Sequence, residues 1–179
     1  MIAFAALLDT VEDLLPAARI DIDESLDLSS AALEEDDPVL ERSRLATRGF
    51  VHGRHRRWVV ADQGLVVSVT VHQFGSAEQA VLSVADLRER LRAAAVTDLR
   101  STARYFDAQY ADEDGSALAC VSRTTSAFQV IVATRVPALS SEPEVSLKPP
   151  QLPSAVEVAT AVANRQIERL LHADIPQQP

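Results

Sequence analysis

The clearest pattern of hydrophobic and polar positions lies between residues 56 and 74, where it predicts two strands joined by a turn. From Leu65 to Val71 every second residue is apolar and β-branched residues are frequent, which is typical of a strand with one buried face. Val66 makes the start of the other face apolar too, so we expect this strand inside its sheet. Residues 56–61 predict the partner strand, and Asp62-Gln63-Gly64 the turn, where glycine accepts a positive φ.

At Ser76 the period changes to that of a helix. Apolar residues then recur three or four positions apart as far as residue 96, and Gln79 follows Ser76 at the spacing of a capping box. The other side of this helix carries charged residues, among them Asp86 and Arg90 one turn apart. The sequence therefore predicts a strand–strand–helix unit over residues 56–96.

The N-terminal third has a weaker pattern. Residues 1–15 predict an amphipathic helix, and Asp37-Pro38 predicts the start of a second helix that ends near Gly49. Residues 21–41 carry many acidic side chains and no basic one. We expect a solvated connection there, because nothing spaces these acids as a metal loop; binding of a cation or a basic partner is the alternative.

The C-terminal half predicts a second set of strands, which form an antiparallel meander at residues 105–111, 117–122 and 127–136. Five prolines in residues 137–153 predict an extended surface connection. Ser154 and Glu157 form a second capping box, which begins the final helix.

These elements predict an α+β fold, an antiparallel sheet of about five strands with helices packed on it. We divide the chain into N-terminal helices with the acidic connection (residues 1–48), a core domain (49–172) and a tail (173–179).

Composition narrows the function classes. The net charge of −9 disfavours nucleic-acid binding, and an aromatic content of 4% leaves few residues for stacking bases. Cys120 is the only cysteine, so it has no intramolecular disulfide partner. No apolar run approaches the length of a transmembrane helix. No glycine-rich phosphate loop, dinucleotide motif or nucleophile motif is found, so we expect no cofactor.

Glycine turns, an aromatic residue at a strand start and a helix entry give this chain a resemblance to a known group. The motifs are Leu45-x3-Gly49-Phe50-Val51-x-Gly53-x2-Arg56-x-Trp58, Val69-x-Val71-x2-Phe74-x-Ser76-Ala77-x2-Ala80 and Ala163-x2-Gln166-x2-Arg169-Leu170. Over residues 45–172 they resemble exported actinobacterial proteins, mostly uncharacterised lipoproteins and sensor-like domains with a Mog1/PsbP-like α/β sandwich.

The resemblance implies an extracytoplasmic binding or sensing role without known catalytic residues. This chain lacks the lipobox cysteine near its start and the disulfide pairs of the kinase-attached sensor domains. We therefore expect a cell-envelope location if the resemblance holds and a cytoplasmic one otherwise.

The densest basic cluster, His52-Gly53-Arg54-His55-Arg56-Arg57, is a candidate anion site. Arginines donate paired hydrogen bonds to phosphates and carboxylates, so a phosphate, an acidic lipid headgroup or an acidic partner could bind there. The alternative is that these arginines pair with the acidic stretch before them. The candidate ligand-binding residues are Arg54, Arg56, Arg57, Trp58 and Tyr105.

Other candidate chemistry is weaker. His52 and His55, with His72, give no recognisable zinc spacing, so we expect ordinary histidines and no metal site. Residues 112–115 open like a calcium loop but lack its later ligands, which indicates a hairpin turn. Cys120 lies within a strand and has no recognisable base, so it is expected to be a small buried residue.

The sequence favours a noncatalytic binding or sensor-like module, with a ligand or protein partner at a sheet face or groove near Trp58 and Tyr105. An accessory subunit that docks through residues 1–15 or 137–153 is the alternative. A third hypothesis is a small enzyme that uses His72 or Asp107 as an acid or base; the absence of a catalytic motif disfavours it.

Overall fold

The computed structural model describes residues 11–33, 37–93, 97–111, 113, 115–137 and 154–172, and these form a seven-stranded antiparallel sheet with five helices. The strands are β1 (Arg19–Leu26), β2 (Phe50–Val60), β3 (Leu65–Phe74), β4 (Thr97–Ser101), β5 (Tyr105–Ala111), β6 (Ala117–Thr125) and β7 (Phe128–Val136). The helices are α1 (Val11–Leu14), α2 (Leu28–Leu33), α3 (Pro38–Thr47), α4 (Ala77–Ala93) and α5 (Ala155–His172).

The sheet consists of two meanders that meet at its centre. Its order is β1-β2-β3-β7-β6-β5-β4, and all neighbouring strands are antiparallel. The first meander, β1 to β3, joins the second, β4 to β7, through the pairing of β3 with β7, in which Val69 lies opposite Val132. The predicted α+β class and the interior position of β3 are confirmed.

The two faces of the sheet pack against different helices. On the first face, alternate residues of β3 and β7 contact α5 and the N-terminal residues Val11 and Ala18, and together they form the largest core cluster. On the second face, α3 and α4 pack around Phe74, and α4 also packs around Phe106. The helices on the second face leave part of the sheet surface between them uncovered.

Seven strands are present where about five are expected, so that prediction is wrong by two. β1 lies in the acidic stretch for which the sequence predicts a solvated connection, and β4 has no counterpart among the predicted elements. Ile20, Ile22 and Leu26 alternate with polar residues, which is a strand signal, but the acidic composition of the stretch masked it, and seven of the eight residues of β1 are not buried. Backbone pairing with β2 and ion pairs with its arginines hold β1 in the sheet.

β2 is also longer than predicted. It begins at Phe50, so the basic cluster at 52–57 lies within a strand that has a neighbour on each side, and not in a loop or at an edge. The N-terminal third thus contributes a strand to the sheet of the predicted core domain. The predicted division at residue 48 stays a prediction.

Several predicted features lie outside the described residues. These are the first ten residues of the predicted N-terminal helix, the connection 138–153, the tail 173–179 and two residues of the 112–115 turn. Of the parts that are described, Val11–Leu14 is helical, and Gly115 in the turn has a positive φ of 80°. Docking through residues 1–15 or 137–153 therefore stays a prediction. Within the part of the chain that is described, no helix is long and apolar enough to cross a membrane.

The predicted helix caps and the first hairpin turn are present. Asp37 accepts a hydrogen bond from the Leu40 N–H at 3.0 Å, and Ser76 Oγ accepts one from the Gln79 N–H at 3.2 Å. In the turn between β2 and β3, Gly64 has a φ of 61°. At α5 the box is reciprocal, because Glu157 Oε2 accepts from the Ser154 N–H at 2.8 Å and Ser154 Oγ accepts from the Glu157 N–H at 3.3 Å.

The α5 cap predicts a pH dependence of stability. The hydrogen bond from the Ser154 backbone, followed by the one from its side chain, lowers the pKa of Glu157 from its ordinary value of 4.5. The stabilisation of the folded protein by the Glu157 carboxylate is therefore complete above pH 4.5, and it is lost as the pH falls through the lowered pKa of Glu157. Urea unfolding should show the native protein more stable than Glu157→Gln at neutral pH, with the difference vanishing in acid. A difference that stays constant with pH would contradict this role for the carboxylate.

Candidate ligand groove

A groove of about 580 Å³ lies on the second face of the sheet, between the sheet and helices α3 and α4. Its floor is formed by side chains of β1, β2, β3, β7 and β6, with Tyr110 of β5 at one end. We call it the cross-strand groove because it runs across the strands. Its volume is in the range typical of small-molecule sites.

Strand register arranges the floor in two parallel rows. The first row is Glu24, His55, Thr70 and Ile131; the second is Ile22, Arg57, Ser68, Ala133 and Cys120. Each row takes one residue from each successive strand, and the second row crosses five strands, which span roughly 19 Å at a spacing of about 4.8 Å. The groove is therefore long enough for an extended ligand.

A buried polar chain holds α4 beside the floor. Ser83 Oγ of α4 donates to Gln129 Oε1 of β7 at 2.6 Å, and Gln129 Nε2 donates to Ser122 Oγ of β6 at 3.0 Å. All three residues are buried, so each bond lies in a medium where losing it is costly. This chain fixes one wall of the groove.

The second wall is tied to the first by ion pairs between helices. Arg90 of α4 lies 3.1 Å from Glu41 of α3, whose side chain is only 8% exposed. Just after α3, Arg48 donates two hydrogen bonds to Asp86 of α4, at 2.7 and 2.9 Å, and this raises the pKa of Arg48. These contacts hold the two helical walls of the groove, α3 and α4, against each other.

His72 lies at the inner end of the floor, and a glycine makes room for it. A Cβ at Gly53 would lie 2.9 Å from His72 Cδ2 and 2.9 Å from the Val71 carbonyl oxygen. The imidazole packs edge to face against Phe50, with ring centroids 5.2 Å apart, and against Phe74 at 6.2 Å. Gly53, part of the motif behind the sequence resemblance, thus shapes the groove.

The structure does not bring the five predicted binding residues together. Arg57 lines the cross-strand groove, whereas Arg54, Arg56 and Trp58 lie on the first face of β2. Trp58 is 1% exposed and belongs to the main core. Tyr105 lies four strands away on β5, also on the first face. A ligand contact at these residues stays a prediction.

The predicted pairing of the arginines with the acidic stretch is confirmed. Asp23 accepts from Arg54 and Arg56, each at 2.8 Å, and Asp21 accepts from Arg57 at 2.8 Å. Desolvation would raise the pKa of Asp23, but the hydrogen bonds from the two arginines hold it below its ordinary value. Carboxylates of the chain itself therefore occupy the positions that a bound anion would take.

Tyr105 belongs to a charged cluster at the β5–β6 side of the first face. Arg100 and Arg123 both pair with Asp107, which is 1% exposed, and both guanidinium groups lie over the Tyr105 ring, 5.7 and 5.1 Å from its centroid. Asp107 and His72, the acid or base candidates of the enzyme hypothesis, thus lie on opposite faces of the sheet.

The remaining candidates are partly inside the groove. His55 Nδ1 lies 3.1 Å from Thr70 Oγ1, and His55, His72 and Cys120 line the groove, whereas the register places His52 on the first face. Among the described residues, no three His, Cys, Asp or Glu side chains are arranged to hold a metal ion. Cys120 is 8% exposed, as expected of a small buried residue.

Comparisons of sequence find no match for this chain, whereas a comparison of structures finds a solved structure with a similar fold. No protein-family model matches this chain, and no curated protein matches it in sequence. Among solved structures it is similar to the extracellular domain of PknH from Mycobacterium tuberculosis, with a TM-score of 0.60 and 11% sequence identity over 91% of this chain and 94% of that chain. At this identity the similarity shows the fold alone, and a Mog1/PsbP-like sandwich stays a prediction.

Proposed function

We propose that this protein is a noncatalytic binding or sensor-like module whose ligand occupies the cross-strand groove. The observation that carries the proposal is an elongated groove whose floor combines polar and apolar side chains from five strands. Ligand sites generally have such mixed linings, in which apolar groups supply contact area and a few polar groups fix orientation.

The rigidity of the groove supports the same proposal. The chain from Ser83 through Gln129 to Ser122 fixes α4 on the sheet, and the pairing of Arg48 with Asp86 fixes α3 on α4. A site that is already formed loses little conformational entropy when a ligand binds. The fold of an extracellular PknH domain supports a sensing role and an extracytoplasmic location for this chain.

Blocking the groove is expected to weaken ligand binding without unfolding the protein. Ala133 lies on the floor and is exposed, so Ala133→Trp places an indole in the groove. The uncharged dye Nile red should bind the native protein with a blue-shifted emission, and the substitution should weaken binding by about tenfold or more.

The matched control is Ala161→Trp, because Ala161 is exposed on α5, which packs on the opposite face of the sheet. Its dye affinity should equal that of the native protein. Equal weakening by both substitutions, or by neither, would place the dye elsewhere and contradict the proposal.

A further inference from the structure

The cross-strand groove changes chemical character along its length. Over β2 and β3 its floor carries imidazole and hydroxyl groups, those of His55, Ser68 and Thr70. Over β7 and β6 the floor carries Ile131, Ala133 and Cys120, together with Gln129, whose buried amide is already hydrogen-bonded to Ser83 and Ser122. A ligand lying along the groove thus meets hydrogen-bonding groups at one end and apolar groups at the other.

The helical wall follows the same division. Leu87 and Leu91 of α4 line the groove, and Leu91 also packs on the cluster of Phe106 and Ala108, residues of β5, so it lies toward the apolar end. The apolar end is therefore bounded by aliphatic side chains on floor and wall. Such a site favours an alkyl or other apolar group, because burying it removes apolar surface from water.

The arginines beside the groove are matched by partners in the chain. Arg57 pairs with Asp21, and Arg90 pairs with Glu41. Glu24, an exposed acid of β1, stands in the first row beside His55. The cationic side chains are thus already neutralised, and the additional carboxylate opposes an anionic ligand.

We propose, resting on the function proposed above, that the ligand is a neutral amphiphile with a hydroxylated head, such as a sugar or polyol, and an apolar body. The head contacts Ser68, Thr70 and His55, and the body lies against Ile131, Ala133 and Leu87. A hydroxyl group both donates and accepts, so it can pair with serine, threonine and either tautomer of histidine. An anionic head would lose hydration without gaining an unmatched cation, and a cationic head would meet only the exposed carboxylate of Glu24, which water already solvates.

Three probes with the same octyl chain separate the head chemistries: octyl glucoside, nonanoate and octyltrimethylammonium, each titrated calorimetrically below its micelle concentration at pH 7. Octyl glucoside should bind about tenfold more tightly than either ionic probe. Equal affinities for the three probes, or tighter binding of an ionic probe, would overturn the neutral-head assignment.

Ser68→Ala locates the head, because it removes one hydroxyl from the floor and leaves the hydrogen bond between Thr70 and His55 intact. It should weaken octyl glucoside about fivefold, the loss of one hydrogen bond, and leave Nile red binding unchanged. An unchanged octyl glucoside affinity would overturn the placement of the head.

The two proposals fail in different ways. If Nile red binds in the groove and an ionic probe is preferred, the groove is a ligand site with another head chemistry. If neither Nile red nor octyl glucoside binds, or if Ala133→Trp leaves both affinities unchanged, both proposals fall.

Discussion

Replacing Asp107 with asparagine is expected to lower the free energy of unfolding by about 3–5 kcal/mol, the typical cost of removing one partner of a buried ion pair. The Asp107 side chain is 2% exposed, and it pairs with Arg123, whose side chain is 12% exposed. It also pairs with Arg100 at 2.6 Å. Asparagine keeps the size of the side chain but removes its charge, so Arg123 is left largely buried without a counterion.

A matched substitution in an exposed pair separates burial from charge. Asp21 pairs with Arg57, and the two side chains are 44% and 41% exposed. Asp21→Asn should change the free energy of unfolding by no more than about 1 kcal/mol, since water solvates the remaining arginine and screens the pair. Urea unfolding of both variants at pH 7 measures the contrast. Losses of equal size would show that burial does not set the importance of the Asp107 pairs.

Trp58→Ala is expected to cost about 3–5 kcal/mol, because it opens a cavity in the main core. Trp58 is 1% exposed and lies opposite Val67 in the register of β2 and β3. Val51→Ala is the control, since Val51 belongs to the same strand and is 56% exposed; its effect should be within about 0.5 kcal/mol. Trp58 is the only tryptophan, so its replacement removes the tryptophan fluorescence signal. Unfolding is therefore followed by far-ultraviolet circular dichroism in all variants.

A milder substitution tests whether Trp58 contacts the ligand. Trp58→Phe should retain the Nile red affinity of the native protein, because Trp58 lies on the face of the sheet opposite the groove. Among the described residues, no acceptor lies within hydrogen-bonding distance of its Nε1, so phenylalanine loses packing volume but no hydrogen bond. A clear loss of dye affinity in a folded Trp58→Phe protein would show that Trp58 contributes to the ligand site.

Local signals made much of the fold predictable. β3 shows its alternation because one face packs on the main core, and α3, α4 and α5 begin at capping residues whose hydrogen bonds are local. β1 carries a similar alternation at Ile20, Ile22 and Leu26, but it lies in an acidic stretch and most of its side chains are exposed, so the acidic composition outweighed the pattern. β4 is a short edge strand whose pairing with β5 completes the sheet.

The groove was only partly predictable. The turn after Val60 sets the register of β2 and β3, so the proximity of His55 and Thr70 follows from the sequence. Polar residues at alternate positions of an interior strand, such as Ser68 and Thr70, were a further signal of a solvated site on that face. The remaining floor depends on the pairing of β3 with β7, which no local pattern specifies.

The pairing of β3 with β7 also has a consequence for how the chain acquires its structure. Each meander can form from neighbouring segments, but the central pairing brings together residues as distant in sequence as Val66 and Arg135. The loop-closure entropy for that contact is lost before the sheet gains its stabilising interactions. Docking of the two meanders is therefore expected to limit the folding rate. Because the groove floor straddles this contact, the ligand site is completed only when the two halves dock.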